Sequence, residues 1–146
     1  MKFLFYVALA AFLLAGCGAP ASKTDSGVPN VASDIKHVSP AEAQAAVSKA
    51  YSQFIDVRTP EEYTTGHAAR AVNIPLDTLA ADLSRLEKNE PVYLICQTGR
   101  RSQKAAELLK EAGFNNVLNV EGGTTAWQAA NLPIETLPPH QVPPAK

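Results

Sequence analysis

Val92-Tyr93-Leu94-Ile95-Cys96-Gln97-Thr98-Gly99-Arg100-Arg101-Ser102 is the stretch from which the rest of the chain is read. Its first four residues are apolar without alternation, as in a short strand covered on both faces. Beyond it, Ala105, Leu108, Leu109 and Ala112 recur at i, i+3, i+4 and i+7, and Gly113 stands where a helix would stop. The segment therefore reads as buried strand, tight loop, helix. Working outward, Gln53 to Val57 and Asn116 to Val120 are further strand-like runs. Ala43, Ala46, Val47 and Ala50 form one helical stripe, and Leu76, Leu79, Ala80, Leu83 and Leu86 a longer one. Two helix starts are explicit. Ser39-Pro40-Ala41-Glu42 and Thr59-Pro60-Glu61-Glu62 each place a cap, a first-turn proline and a capping-box glutamate in order. Strands alternating with helices predict an α/β domain built on a mainly parallel sheet. In such folds chemistry gathers where strands end and helices begin, which points to residues 96–102.

Cys96 sits at that junction. Gly99 lets the loop curl, and a curled loop turns its backbone N–H groups inward. Those donors, the following helix N-terminus, Arg100 and Arg101 all favour an anion at the centre, so the thiol is expected to ionise readily and act as a nucleophile. Phosphatases of the Cys-x5-Arg type also cradle an anion this way. They need an arginine six positions after the cysteine, where this chain has Ser102, and Arg101 comes one residue early. The smaller ring suits a sulfur atom carried on the thiolate better than a phosphate.

Composition narrows the remaining classes. A formal net charge of -1 over 146 residues argues against nucleic-acid binding, which would need a basic stripe. Two cysteines supply neither a disulfide framework nor a cysteine-rich zinc site, and no His/Asp/Glu cluster has metal-ligand spacing. No cofactor is implied. The hydrophobic residues, 46% of the chain, crowd toward the start, where residues 1–16 contain 14 of them. Met1-Lys2 followed by the uncharged run Phe3 to Leu14 is shorter than a bilayer span and has the form of an export signal. Residues 18–36 are small and polar, with Pro20 and Pro29, and read as a tether. The Pro-rich tail 138–146 cannot continue a helix or a central strand. The expected organisation is a leader over 1–16, Cys17 and tether over 17–36, one domain over 37–137, and the tail.

Two resemblances sharpen this. Leu14-Ala15-Gly16-Cys17 resembles the bacterial lipobox, which implies lipidation of Cys17, cleavage before it, and an exported, membrane-anchored lipoprotein. Gly18 at the second mature position implies the periplasmic face of the outer membrane if the host has two membranes. Within the domain, Asp56-Val57-Arg58-Thr59-Pro60-Glu61-Glu62-Tyr63, Gly66-His67, Asn73-Ile74-Pro75, Cys96 to Ser102 and Glu121-Gly122-Gly123 with Trp127 appear in the order of the landmarks of single-domain rhodaneses. The chain resembles that sulfurtransferase family over about 37–137. The resemblance implies a five-stranded, mostly parallel sheet flanked by helices.

It also implies a Cys96 persulfide formed from an anionic sulfane donor and passed to cyanide or a thiol. The loop lacks the Cys-Gly-x-Gly-Val-Thr pattern of mercaptopyruvate enzymes, so thiosulfate is the expected donor. Cys96 is then the catalytic residue. Gln97, Thr98, Gly99, Arg100, Arg101 and Ser102 are the expected substrate-binding loop. Arg101 is expected to brace that loop, and Arg58 either to pair with an acid or to contact substrate. His67 and Trp127 are expected to be structural, and Gly122-Gly123 a turn. A relay module that passes persulfide to a protein partner is the alternative. One departure is local: Gly66-His67-Ala68-Ala69-Arg70-Ala71 has Arg70 where the family has glycine, which predicts an altered backbone there.

Overall fold

A computed structural model of the chain describes residues 35–49 and 52–136; the leader, Cys17, most of the tether, Ala50 and the Pro-rich tail lie outside the described residues. The elements are β1 (Lys36–Val38), α1 (Pro40–Lys49), β2 (Gln53–Asp56), α2 (Pro60–Thr65), β3 (His67–Ala68), β4 (Val72–Asn73), α3 (Leu76–Leu79), β5 (Val92–Ile95), α4 (Arg100–Glu111), β6 (Val117–Val120), α5 (Gly123–Ala129) and β7 (Ile134–Glu135). Five strands form one sheet in the order β1-β6-β5-β2-β4, and every pairing within it is parallel. The short β3 and β7 pair antiparallel in a separate ribbon. The expected α/β architecture is therefore present.

Alternation along the strands divides the core into two layers. Ile55, Val92, Leu94 and Val117 pack with Leu79, Ala105 and Leu109, so α3 and α4 cover one face. Phe54, Ile95 and Val120 pack with Ala43, Val47 and Trp127, so α1 and α5 cover the other. Trp127 is fully buried, tilted against Phe54 at 5.4 Å between ring centroids, and its indole N–H donates to the Pro133 carbonyl at 2.9 Å. That polar partner lets an indole sit in the core without an unmet donor.

Both capping boxes form. The Glu42 carboxylate accepts from the Ser39 N–H at 2.9 Å, and the Thr59–Glu62 pair closes reciprocally with Pro60 at the first helical position. The stripe from Leu76 to Leu86, however, is not one helix. It breaks into α3 and a 3-10 turn at Leu83–Arg85. The Thr78 carbonyl accepts from both Ala81 and Asp82, which tightens the chain to i→i+3 bonds before a second turn begins. Leu79 and Leu86 still reach the core, and Leu76 and Leu83 pack against it. Arg70 stands in a turn. It adopts φ 71°, a left-handed conformation in which an arginine bears the strain.

This topology places β5 inside the sheet, flanked by β2 and β6. From β2 the chain proceeds outward to β4, whereas from β5 it proceeds the other way to β6. The C-terminal end of β5 is thus a switch point with a crevice beside it.

Candidate active site

Cys96 follows β5 immediately, and its side chain is buried. Gly99 takes φ 93° and caps α4, a left-handed turn that aims the backbone back at the sulfur. The Gly99 N–H donates to Cys96 Sγ at 3.1 Å, and the Ser102 hydroxyl, fully buried one turn further on, approaches Sγ at 3.4 Å. Burial alone pushes the thiol up. The Ser102 hydroxyl and the N–H groups of Ser102, Thr98 and Gly99 together outweigh it, and the thiol is held below its ordinary range. The ring of donors around a thiol at the strand-loop-helix junction is the arrangement the sequence predicts.

The loop is anchored from three sides. At its root, α5 donates the Thr124 N–H to the Cys96 carbonyl at 2.7 Å and the Thr125 N–H to the Gln97 carbonyl at 3.1 Å. The Gln97 side chain is engaged with the Thr124 and Thr125 hydroxyls. From β6, Asn119 Nδ2 donates to the Gly99 carbonyl at 3.2 Å. From α2, Glu62 receives both terminal nitrogens of Arg101 at 2.6 Å each. That fork holds the Glu62 carboxylate down at about 2, chiefly through the Arg101 hydrogen bonds and against a partial burial that would raise it. Gly123 explains how α5 comes so close. It has φ 57°, and a Cβ there would run into the backbone of Cys96 and Gln97.

The structure brings the backbone of Thr98, Gly99 and Ser102 and the Ser102 hydroxyl to the thiol, turns Gln97 to Thr124 and Thr125 and Arg101 to Glu62, and leaves Gln97, Thr98 and Arg100 exposed. Arg58 is not among them. Its guanidinium is buried, donates from Nε to both Asp56 oxygens at 3.0 and 2.9 Å, and uses Nη2 on Asp56 Oδ2 at 2.7 Å and the Gly66 carbonyl at 2.8 Å. A fork spent inward on an acid and a carbonyl is a brace, so of its two expected roles Arg58 takes the pairing one. His67 is structural as well: buried, stacked on Tyr63 at 3.7 Å, with Nδ1–H donating to the Tyr63 carbonyl at 2.9 Å. Sequence reasoning did not assign Glu62, Asn119, Thr124 or Gly123 to the site. Only Glu62 and Gly123 carried a signal. The capping-box glutamate and the double glycine were each read for their local role alone.

Fold and loop together define an α/β group-transfer domain with an activated cysteine at its switch point. The Rhodanese-like domain profile matches residues 39–130, and the chain belongs to that family. It is 34% identical over 99 residues to a Vibrio cholerae protein named thiosulfate sulfurtransferase GlpE, covering 68% of this chain and 93% of the relative. It is 41% identical over 73 residues to YrkF of Bacillus subtilis, for which a sulfur-carrier role is proposed; the match spans 50% of this chain and 40% of YrkF. Among solved structures, a rhodanese-like domain protein from Staphylococcus aureus superposes with a TM-score of 0.60 at 37% identity, over 64% of this chain and 91% of the other.

Proposed function

We propose that the protein is a sulfurtransferase that takes sulfane sulfur from thiosulfate and holds it as a Cys96 persulfide. The observation that carries this reading is the set of donors converging on Cys96 Sγ from Gly99 and Ser102. The Cys96 thiolate attacks the outer sulfur of thiosulfate. A new S–S bond forms, the original S–S bond breaks, and sulfite leaves with its electron pair. The terminal persulfide sulfur then occupies the ring of N–H groups, which stabilise its negative charge as it develops. Cyanide or a thiolate attacks that sulfur, leaves as thiocyanate or a persulfide, and returns Cys96 as thiolate. Arg100, exposed at the start of α4, attracts the anionic donor. Arg101, paired with Glu62, keeps the loop in shape.

The lipobox-like Leu14-Ala15-Gly16-Cys17 supports a membrane-anchored location for this chemistry. Cys17 carries the lipid and residues 18–36 lead to the domain, which then works in an exported, oxidising compartment. Among the described residues Cys96 is the one free cysteine, so oxidation offers it no partner within the domain. Similarity to YrkF favours a second reading, in which the persulfide passes to a protein rather than to a small acceptor.

Thiocyanate production from thiosulfate and cyanide tests the first reading. The wild-type protein is expected to turn over and Cys96→Ser to be inactive. Slow turnover with small acceptors but fast transfer to a protein thiol would support the relay, and hydrolysis of a phosphate ester would overturn both. Labelled palmitate incorporated by wild type and not by Cys17→Ala tests the anchor.

A further inference from the structure

β6 reads Val117-Leu118-Asn119-Val120, apolar except at one position. Val117, two residues before Asn119 and on the same face of the strand, packs with Ala105 and Leu109 of α4. Asn119 carries a carboxamide into that layer and is only 3% exposed. Half of the carboxamide is used. Nδ2 donates to the Gly99 carbonyl and to Gln103 Oε1, at 3.2 Å each, while Oδ1 is buried and has no hydrogen-bond partner among the described residues. Turning the amide over would not mend this. A carbonyl only accepts, so Nδ2 must face Gly99, and Gln103 gives its Nε2 to the Glu107 carboxylate at 3.0 Å and presents Oε1 to Asn119. A buried acceptor without a donor is costly and rare.

Gln53 of β2 is the contrast. It is also a buried strand amide, but both its ends are met: Nε2 donates to the Glu87 carbonyl at 2.9 Å and Oε1 accepts from the Glu87 N–H at 2.7 Å. Gln53 is a tie for the fold. Asn119 gives the fold less, because its partners do not depend on it. The Gly99 carbonyl keeps the Gln103 N–H at 3.1 Å, and Gln103 is half-buried, so its Oε1 can turn to water.

What Nδ2 does hold is Gly99. Glycine has the freest backbone of any residue, and at φ 93° Gly99 points its N–H at Cys96 Sγ, 3.1 Å away. The Gln103 N–H ties the Gly99 carbonyl to its own helix alone. The Asn119 bond ties it to β6, which pairs with β5, the strand that ends at Cys96.

We infer that Asn119 is a positioning residue for sulfur transfer, setting the aim of the Gly99 N–H at the cysteine sulfur at a cost to the stability of the fold. This role rests on the reading of Cys96 as the sulfur carrier. It requires reactivity and stability to move in opposite directions when the carboxamide is removed.

Asn119→Val tests this, since valine suits a strand and removes both polar atoms. Alkylation of Cys96 by iodoacetamide is followed across pH, beside thermal melting and thiosulfate turnover, with Gln53→Leu as the comparison. Asn119→Val is expected to melt at or above the wild-type temperature, because the orphaned acceptor leaves with the side chain. Its alkylation rate at pH 7 is expected to fall about fivefold, one hydrogen bond's worth, with the pH midpoint moved up and turnover lowered. The Gly99 amide is expected to exchange with deuterium faster, and the β5 amides no faster, than in wild type. Gln53→Leu is expected to do the reverse, melting lower with the alkylation midpoint unchanged. An Asn119→Val protein that melts lower or fails to fold would show the carboxamide serving structure, and one that alkylates as wild type does would show the donor aimed without it; either overturns the inference. So would a midpoint moved equally by Gln53→Leu. Alkylation needs no sulfur donor, so a wild-type protein that transfers no sulfur overturns the proposed function, and the alkylation comparison still decides whether Asn119 aims the donor.

Discussion

Gly123→Ala is the change that probes most directly how the loop is held. A Cβ at this position lies 2.7 Å from the carbonyl carbon and 2.8 Å from the carbonyl oxygen of Gln97, and closer still to the Cys96 carbonyl oxygen. Carbon atoms in contact sit about 3.5–4.0 Å apart, so the cradle must move by about 1 Å. No side chain is available to give way, since the obstructing atoms are the loop's own backbone, anchored to Thr124 and Thr125. Positive φ costs an alanine about 1 kcal/mol and overpacking about 1–3 kcal/mol, for a total of about 2–4 kcal/mol. A displacement of about 1 Å at a reacting centre lowers rate by roughly a hundredfold. The N–H groups also leave the sulfur, so the thiol shifts upward. Gly113→Ala is the control, since φ is 88° there and the nearest atom is the mobile end of Lys88 at 3.8 Å. The assays are thermal melting and the pH dependence of Cys96 alkylation. Both variants are expected to lose stability, and only Gly123→Ala to raise the thiol and lose turnover. A Gly123→Ala protein with wild-type alkylation and turnover would refute the packing argument.

Ser102→Ala removes the hydroxyl that approaches Sγ; its alkylation rate at pH 7 is expected to fall about tenfold, one hydrogen bond's worth, with the pH midpoint moved up. Glu62→Gln breaks the fork to Arg101. Glu62 ionises at about 2 in the folded protein, below the ordinary carboxylate range. Its stabilisation is therefore complete above about pH 4.3 and lost as pH falls through about 2. With the two side chains 35% and 34% exposed, screening limits the pair to about 1 kcal/mol. Melts of variant and wild type are expected to differ at pH 7 and to converge near pH 2. Arg70→Gly relieves a left-handed arginine and is expected to raise stability by about 1 kcal/mol, read from denaturant melts; an unchanged midpoint would mean no strain is held there.

What the sequence made legible depended on how local the signal was. Val92 to Ile95, the two capping boxes and Gly113 all act within a few residues, and each formed where expected. The Leu76 to Leu86 stripe kept its burial but lost its helix, because periodicity reports which side chains face the core and not whether the backbone bonds run i→i+4 or i→i+3. Cys96 and its loop were readable for the same reason of locality. Their supports were not. Glu62 reaches Arg101 across 39 positions, and Asn119 reaches Gly99 across 20, and nothing in either residue's neighbourhood announces a distant partner. Arg58 shows the converse: it follows the end of β2, beside the end of β5 that carries the site, yet Asp56, two positions back, turns it inward.

Intact-mass analysis of the purified protein, before and after thiosulfate and again after cyanide, tests the central claim most directly. One sulfur is expected to be gained at Cys96 and then lost, with Cys96→Ser unchanged throughout. A wild-type protein that gains no sulfur, or gains it equally in Cys96→Ser, would contradict the account.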